Sequence, residues 1–219
     1  MTYSFPPLRS IAALVAAATL AISAHAQTVV TTNSTFGNFD ASSGTRQLLF
    51  TALEIGAGGL ITDVNISINF AKADGEGTTL GSGTPFFNET VFNLTYGSTT
   101  TELIAAGSFN SGSGPFSGTV TFDDAAANLV NVDPNLIQPG TFQPVGSLSD
   151  FNGLNLTPGD WTLFIQDTVG ADSLRFYSAT LEVTYDGVGA VPEPSTYGLM
   201  GAGLLAAVLL RRRLKAAKA

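Results

Sequence analysis

This chain has no cysteine, and its one histidine (His25) and two methionines (Met1 and Met200) lie near its ends. Without cysteine no disulfide can form, so stability has to come from packing. Between Gln27 and Ala190 the missing His and Cys remove the usual zinc and copper sites. They also remove a Ser-His-Asp triad and a thiol nucleophile. Catalysis is left with carboxylate pairs, a Ser–Lys pair involving Lys72, or a hard metal. Positive charge is scarce too. Over the same stretch Arg46, Lys72 and Arg175 face sixteen acidic residues, a net charge near −13 that the whole-chain value of −8 hides. Such a surface repels nucleic acid and anionic lipid; it suits solubility outside the cell or attraction of divalent cations.

What the ends do have is pattern. Arg9 gives a positive start, Ile11 to Ile22 is apolar, and Ala24-His25-Ala26 is a small-x-small cleavage site. These predict a signal peptide over 1–26, passage through the Sec translocon, and a mature chain beginning at Gln27. At the other end, Val191-Pro192-Glu193-Pro194-Ser195-Thr196 precedes an apolar run from Tyr197 to Leu210, then Arg211-Arg212-Arg213. As a helix, 197–210 reaches roughly 21 Å, short of the ~30 Å hydrocarbon core. Tyr197 and the snorkelling arginines extend that reach. The basic cluster is expected to stay cytoplasmic, leaving everything before Val191 across the inner membrane. On hydropathy alone, an ordinary single-pass anchor fits as well.

Pro192-Glu193-Pro194, the short Gly-rich helix and the terminal arginines resemble the PEP-CTERM sorting signal of Gram-negative bacteria over residues 191–219. The resemblance implies recognition by an exosortase, a membrane transpeptidase-like cysteine protease that cuts near Pro-Glu-Pro. The membrane is then only a transient partner on the way to the cell surface or the extracellular space. Such proteins typically occur in species that build an exopolysaccharide matrix. Two prolines hold the segment extended and deny it internal hydrogen bonds, so a protease can bind it as a strand.

Residues 27–190 read as one all-β domain. In Leu60 to Phe70, Val64, Ile66, Ile68 and Phe70 alternate with Asn65, Ser67 and Asn69, which marks a sheet with one wet face. Further strands are expected over Glu89 to Tyr96, Thr100 to Ala105, Phe116 to Phe122, Asp160 to Asp167 and Phe176 to Tyr185. Thr28 to Thr32 and Gln47 to Leu53 add two near the N-terminus. The last main strand places Tyr177, Ala179, Leu181, Val183 and Tyr185 in its inner row. Asp123 to Val130 has the composition for a helical turn or two. Asn131 to Leu148, with Pro134, Pro139 and Pro144, reads as an irregular surface stretch. Seven to nine strands in this length are the proportions of a two-sheet sandwich.

Asn152-Gly153, Pro158-Gly159-Asp160-Trp161-Thr162-Leu163, Asp167 and the closing Tyr177 to Tyr185 strand resemble the end of the P-domain of proprotein convertases and bacterial subtilases. Ile61 to Phe70 resembles its entering strand, and Thr121-Phe122-Asp123-Asp124-Ala125 its Thr-Phe-Asp-Asp-x-Ala segment. The likeness spans 59–185 and implies a jelly-roll-like β-sandwich. The chain lacks the family's His after the entering strand, its Ser-Pro-x-Gly-Thr turn and a preceding subtilase domain.

Asp123 and Asp124, at the end of a strand, are candidates for a calcium site completed by Asp74 or Asp133; the alternative is a cap and turn. Asp74-Gly75-Glu76-Gly77 is equally a solvated hairpin loop. Trp161 shares parity with Leu163 and Ile165, which places it in the core. Phe86, Phe87 and Phe109 are candidates for an exposed stacking surface. A glycosidase needs two carboxylates roughly 5–9.5 Å apart. Sixteen acids supply such a pair by chance, and Asp160 and Asp167 read as strand-edge residues. Asn33, Asn65, Asn88, Asn93 and Asn155 head Asn-x-Ser/Thr triplets, read as a by-product of composition. The expectation is an exported, non-catalytic structural or interaction protein without a cofactor. A calcium-dependent carbohydrate-binding module for the producer's exopolysaccharide is the alternative, ahead of a carboxylate-dependent glycoside hydrolase.

Overall fold

Eleven strands form among the described residues, with apolar and polar residues alternating along much of the longer ones: β1 (His25–Asn33), β2 (Gly37–Phe39), β3 (Ser42–Phe50), β4 (Gly59–Lys72), β5 (Thr90–Tyr96), β6 (Thr99–Ile104), β7 (Phe116–Phe122), β8 (Gly140–Phe142), β9 (Asn155–Leu156), β10 (Gly159–Asp167) and β11 (Leu174–Gly187). The structure, a computed structural model, describes residues 25–75, 81–110, 114–133 and 135–187, with Gly201 and Gly203. Ala24, Pro192-Glu193-Pro194 and Arg211-Arg212-Arg213 lie outside the described residues, as does the apolar run 197–210 apart from those two glycines. Among the described residues no helix is long and apolar enough to cross a membrane. Ala26 pairs with Asp186 in β1, so cleavage after it would leave the ladder intact from the Gln27–Tyr185 pair onward.

The strands form two sheets. One runs β1-β11-β4-β7-β8, with β2 also beside β11 and β9 beside β4; the other runs β3-β10-β5-β6. The antiparallel pairs β1–β11, β3–β10, β4–β7 and β5–β6 nest inside one another in sequence and alternate between the sheets. That nesting is the winding of a jelly roll. The core lies between the sheets. Val64, Ile66, Ile68 and Phe70 of β4 and Ala179, Leu181, Val183 and Tyr185 of β11 face Phe92, Leu94 and Tyr96 of β5 and Trp161, Leu163 and Ile165 of β10, all buried.

Four local expectations need correction. The last strand shifts register between Phe176 and Ser178. This bulge turns Phe176 inward and leaves Tyr177 half-buried, 5.9 Å from the ring of exposed Phe36. The strand after Gln47 stops at Phe50, because Thr51 and Glu54 form a reciprocal capping box that starts a one-turn helix, Ala52–Ile55. Residues 123–130 form turns and no helix. There the Asp123 carboxylate accepts the N–H of Ala125 at 2.7 Å and competes with helical bonding. Finally, 131–148 is not wholly irregular. It contributes β8, parallel to β7, and buries Ile137.

Candidate functional site

Side chains along a strand alternate between its faces, so the parity that builds the core also decides what ends each inward row. In β4 the buried row continues past Phe70 to Lys72; in β10 it continues past Ile165 to Asp167. One projects from each sheet, and they meet between the sheets. The Lys72 ammonium lies 2.8 Å from Asp167 Oδ2, with neither side chain exposed. Glu89, closing the 3-10 turn Phe87–Glu89 that leads into β5, places Oε2 at 3.5 Å from the same nitrogen. Asp172, from the loop between β10 and β11, places Oδ2 at 3.3 Å. That carboxylate also accepts the backbone N–H of Phe86, which anchors the loop. Thr90 stands opposite Asp167 on β5, fully buried, and among the described residues its hydroxyl has no hydrogen-bond partner.

One ammonium thus answers three buried carboxylates. Burial pushes the Asp167 carboxyl up from 3.8 to about 6, although Lys72 pulls it down. Glu89 rises from 4.5 to about 7, through burial first and the neighbouring Asp172 second, again against Lys72. A carboxyl that exchanges its proton near neutrality, beside a dry amine, is equipped for proton transfer. Stability alone is a weak reason for such a cluster, since buried ion pairs seldom outperform apolar packing. The three carboxylates lie within 4.8 Å of one another, close enough for one hard cation to bridge. The Lys72 ammonium already stands among them.

The sequence-derived candidates fall elsewhere. Asp123 closes its own turn, as described above. Asp124 accepts the Ser147 hydroxyl at 2.6 Å and the N–H groups of Leu148 and Ser149 at 3.0 and 2.8 Å. Partial burial pushes this carboxyl up, but those donors outweigh it and leave it below the usual aspartate value. Asp133 accepts the N–H of Asn135. Neither Asp123 nor Asp124 belongs to a set of three converging acids among the described residues. Trp161 is fully buried, stacked on Tyr96 at 4.4 Å and edge-on to Phe151 at 4.8 Å. Of the three phenylalanines read as a stacking surface, Phe86 is exposed while Phe87 and Phe109 are buried against each other. An open groove of about 440 Å³ at the Tyr96 end of the sandwich has no charged residue in its lining.

The three Lys and Arg side chains among the described residues, Arg46, Lys72 and Arg175, are all engaged. Besides Lys72, Arg46 donates to the carbonyls of Thr35, Phe36 and Thr45 and covers the rings of Phe39 and Phe176. Arg175 is buried and reaches the Gly75 carbonyl. The charged cluster was missed in the sequence because Asp167 reads as a strand edge and Lys72 only as the lysine of a possible Ser–Lys pair. Extending each inward row by two residues finds both.

Set against known protein families, residues 190–213 match the PEP-CTERM protein-sorting motif. No curated protein matches the chain. The chain therefore carries an exosortase sorting motif at its C-terminal end and is an exported, envelope-directed protein.

Proposed function

We propose that the chain is a non-catalytic structural or interaction protein whose jelly-roll domain is the cargo of its sorting tail. Exosortase releases or anchors it at the cell surface or in an extracellular polysaccharide matrix. The observation that carries this reading is the sorting motif over 190–213. The absence of His and Cys between Gln27 and Ala190 supports it, as does a body whose basic groups serve its own packing. The test is mass spectrometry of the protein recovered from outside its native cell. Termini at Gln27 and near Pro192 to Pro194 are expected; a cytosolic protein with both ends intact overturns the reading. The same material should leave peptide and glycoside substrates unchanged. Turnover that an Asp→Asn substitution abolishes would refute the non-catalytic role.

A further inference from the structure

The Lys72 cluster brings together the parts of a reaction that nothing in the sorting of this protein requires. An amine and a carboxyl group lie 2.8 Å apart, both without solvent exposure. They come from facing sheets and from positions 95 residues apart in the chain. Phe116 and Leu174 flank Lys72 across the ladders on either side and are themselves buried. Glu89 sits against the amine at 3.5 Å, and the unpartnered Thr90 hydroxyl stands across from Asp167. An exported protein without cysteine has no disulfide to lock its two sheets together.

We propose that Lys72 and Asp167 condense into an intramolecular amide, a covalent cross-link between the two sheets, with Glu89 as the acid–base group. Glu89 takes a proton from the ammonium and frees the Nζ lone pair, which adds to Cγ of Asp167. Glu89 returns that proton to one carboxyl oxygen. It then carries a second proton from nitrogen to the same oxygen. The Cγ–O bond breaks, water leaves, and Glu89 ends as it began. Ammonium and carboxylate have become amide and water, with no oxidant, reductant or cofactor. The Thr90 hydroxyl, buried at the position paired with Asp167 on β5, is the donor assigned to the oxygen that gains charge during addition. Burial favours each stage. It disfavours the charged form of Asp167, keeps Glu89 near the pKa a proton carrier needs, and bars water from the reverse reaction. It also replaces two buried charges with a neutral group.

The test uses the purified full chain and reads its intact mass and its tryptic map after denaturation. Lys72 is the one tryptic site between Arg46 and Arg175. An unlinked chain releases 47–72 and 73–175. A linked one is lighter by one water and yields a single species covering 47–175, because trypsin cannot cut at an acylated lysine. We expect the second pattern, with fragment ions locating the bond between Lys72 and Asp167. Asp167→Ala should restore full mass and the two separate peptides. Glu89→Gln should do the same while remaining folded by near-UV circular dichroism, and Glu89→Asp should restore part of the mass loss. Full mass with free 47–72 from folded wild type overturns the proposal. So does a lost water with 47–72 still released, or a link mapped to Glu89 or Asp172. A mass loss undiminished in Glu89→Gln removes Glu89 from the mechanism.

Discussion

The same four central strands end in opposite ways. At one end β5 and β10 finish in Tyr96 and Trp161, stacked and closed over by Phe151. Nearby, the Tyr185 hydroxyl of β11 reaches the Ile55 carbonyl. The Tyr96 hydroxyl accepts the N–H of Thr157 at 2.9 Å and lies 3.1 Å from the Asn155 carbonyl. At the other end β4 and β10 finish in Lys72 and Asp167, with Glu89 and Asp172 closing in. The aromatic end covers itself with large apolar area and a few satisfied hydroxyls. The charged end carries surplus negative charge in a dry space, which burial relieves by holding protons. One end is built from packed rings, the other from buried charge.

Breaking the charged end should have the largest effect. Lys72→Met leaves three buried carboxylates without a cation and should cost about 3–5 kcal/mol at pH 8. Urea unfolding measures it, and the loss should shrink at pH 5, where Glu89 and Asp167 hold protons. A pH-independent loss would mean that Lys72 acts through its volume or the cross-link rather than through its charge. The pH profile of the wild type sharpens the same contrast. Glu89 binds its proton more tightly in the folded chain (about 7) than its ordinary value of 4.5 allows in the unfolded one. Between those values the folded state holds more protons, so stability falls as pH rises through the window and levels off for this group above 7. Glu89→Gln should flatten that slope in a series of thermal melts.

At the aromatic end, Tyr96→Phe removes the hydroxyl that pairs Thr157 and should cost about 1–2 kcal/mol, equally at pH 5 and pH 8. A clear pH dependence would show the two ends to be coupled. The smallest effect belongs to a site remote from both. Thr51→Ala removes one half of the capping box and should lower stability by about 1 kcal/mol. Differential scanning of the two proteins side by side is sufficient.

Much of this fold was legible in the chain because alternation leaves a direct trace. The rows from Val64 to Phe70 and from Trp161 to Ile165 read true, and so did the burial of Trp161. The reading failed where the local signal changes without a change in composition. A one-residue bulge at Tyr177 reverses the faces of its neighbours. β8 is three residues long and gains its hydrogen bonds from β7, which no local pattern announces. Asp124 pairs with Ser147 and Ser149, more than twenty positions away, so it read only as a candidate calcium ligand or a local cap. Asp167 read as a strand edge and Lys72 lay beyond the strand expected to end at Phe70, so their meeting went unread.

By itself the sequence determined which residues face the core, how many long strands the domain needs, and the address written at its C-terminal end. Each of these depends on neighbours within a few positions, or on a segment read as an extended chain. Only the tertiary structure decided that the inward rows of opposite sheets converge on one amine and three acids. Jelly-roll winding sets residues 95 positions apart side by side. Their protonation and reactivity come from the water they lose there, which no stretch of the chain can lose alone.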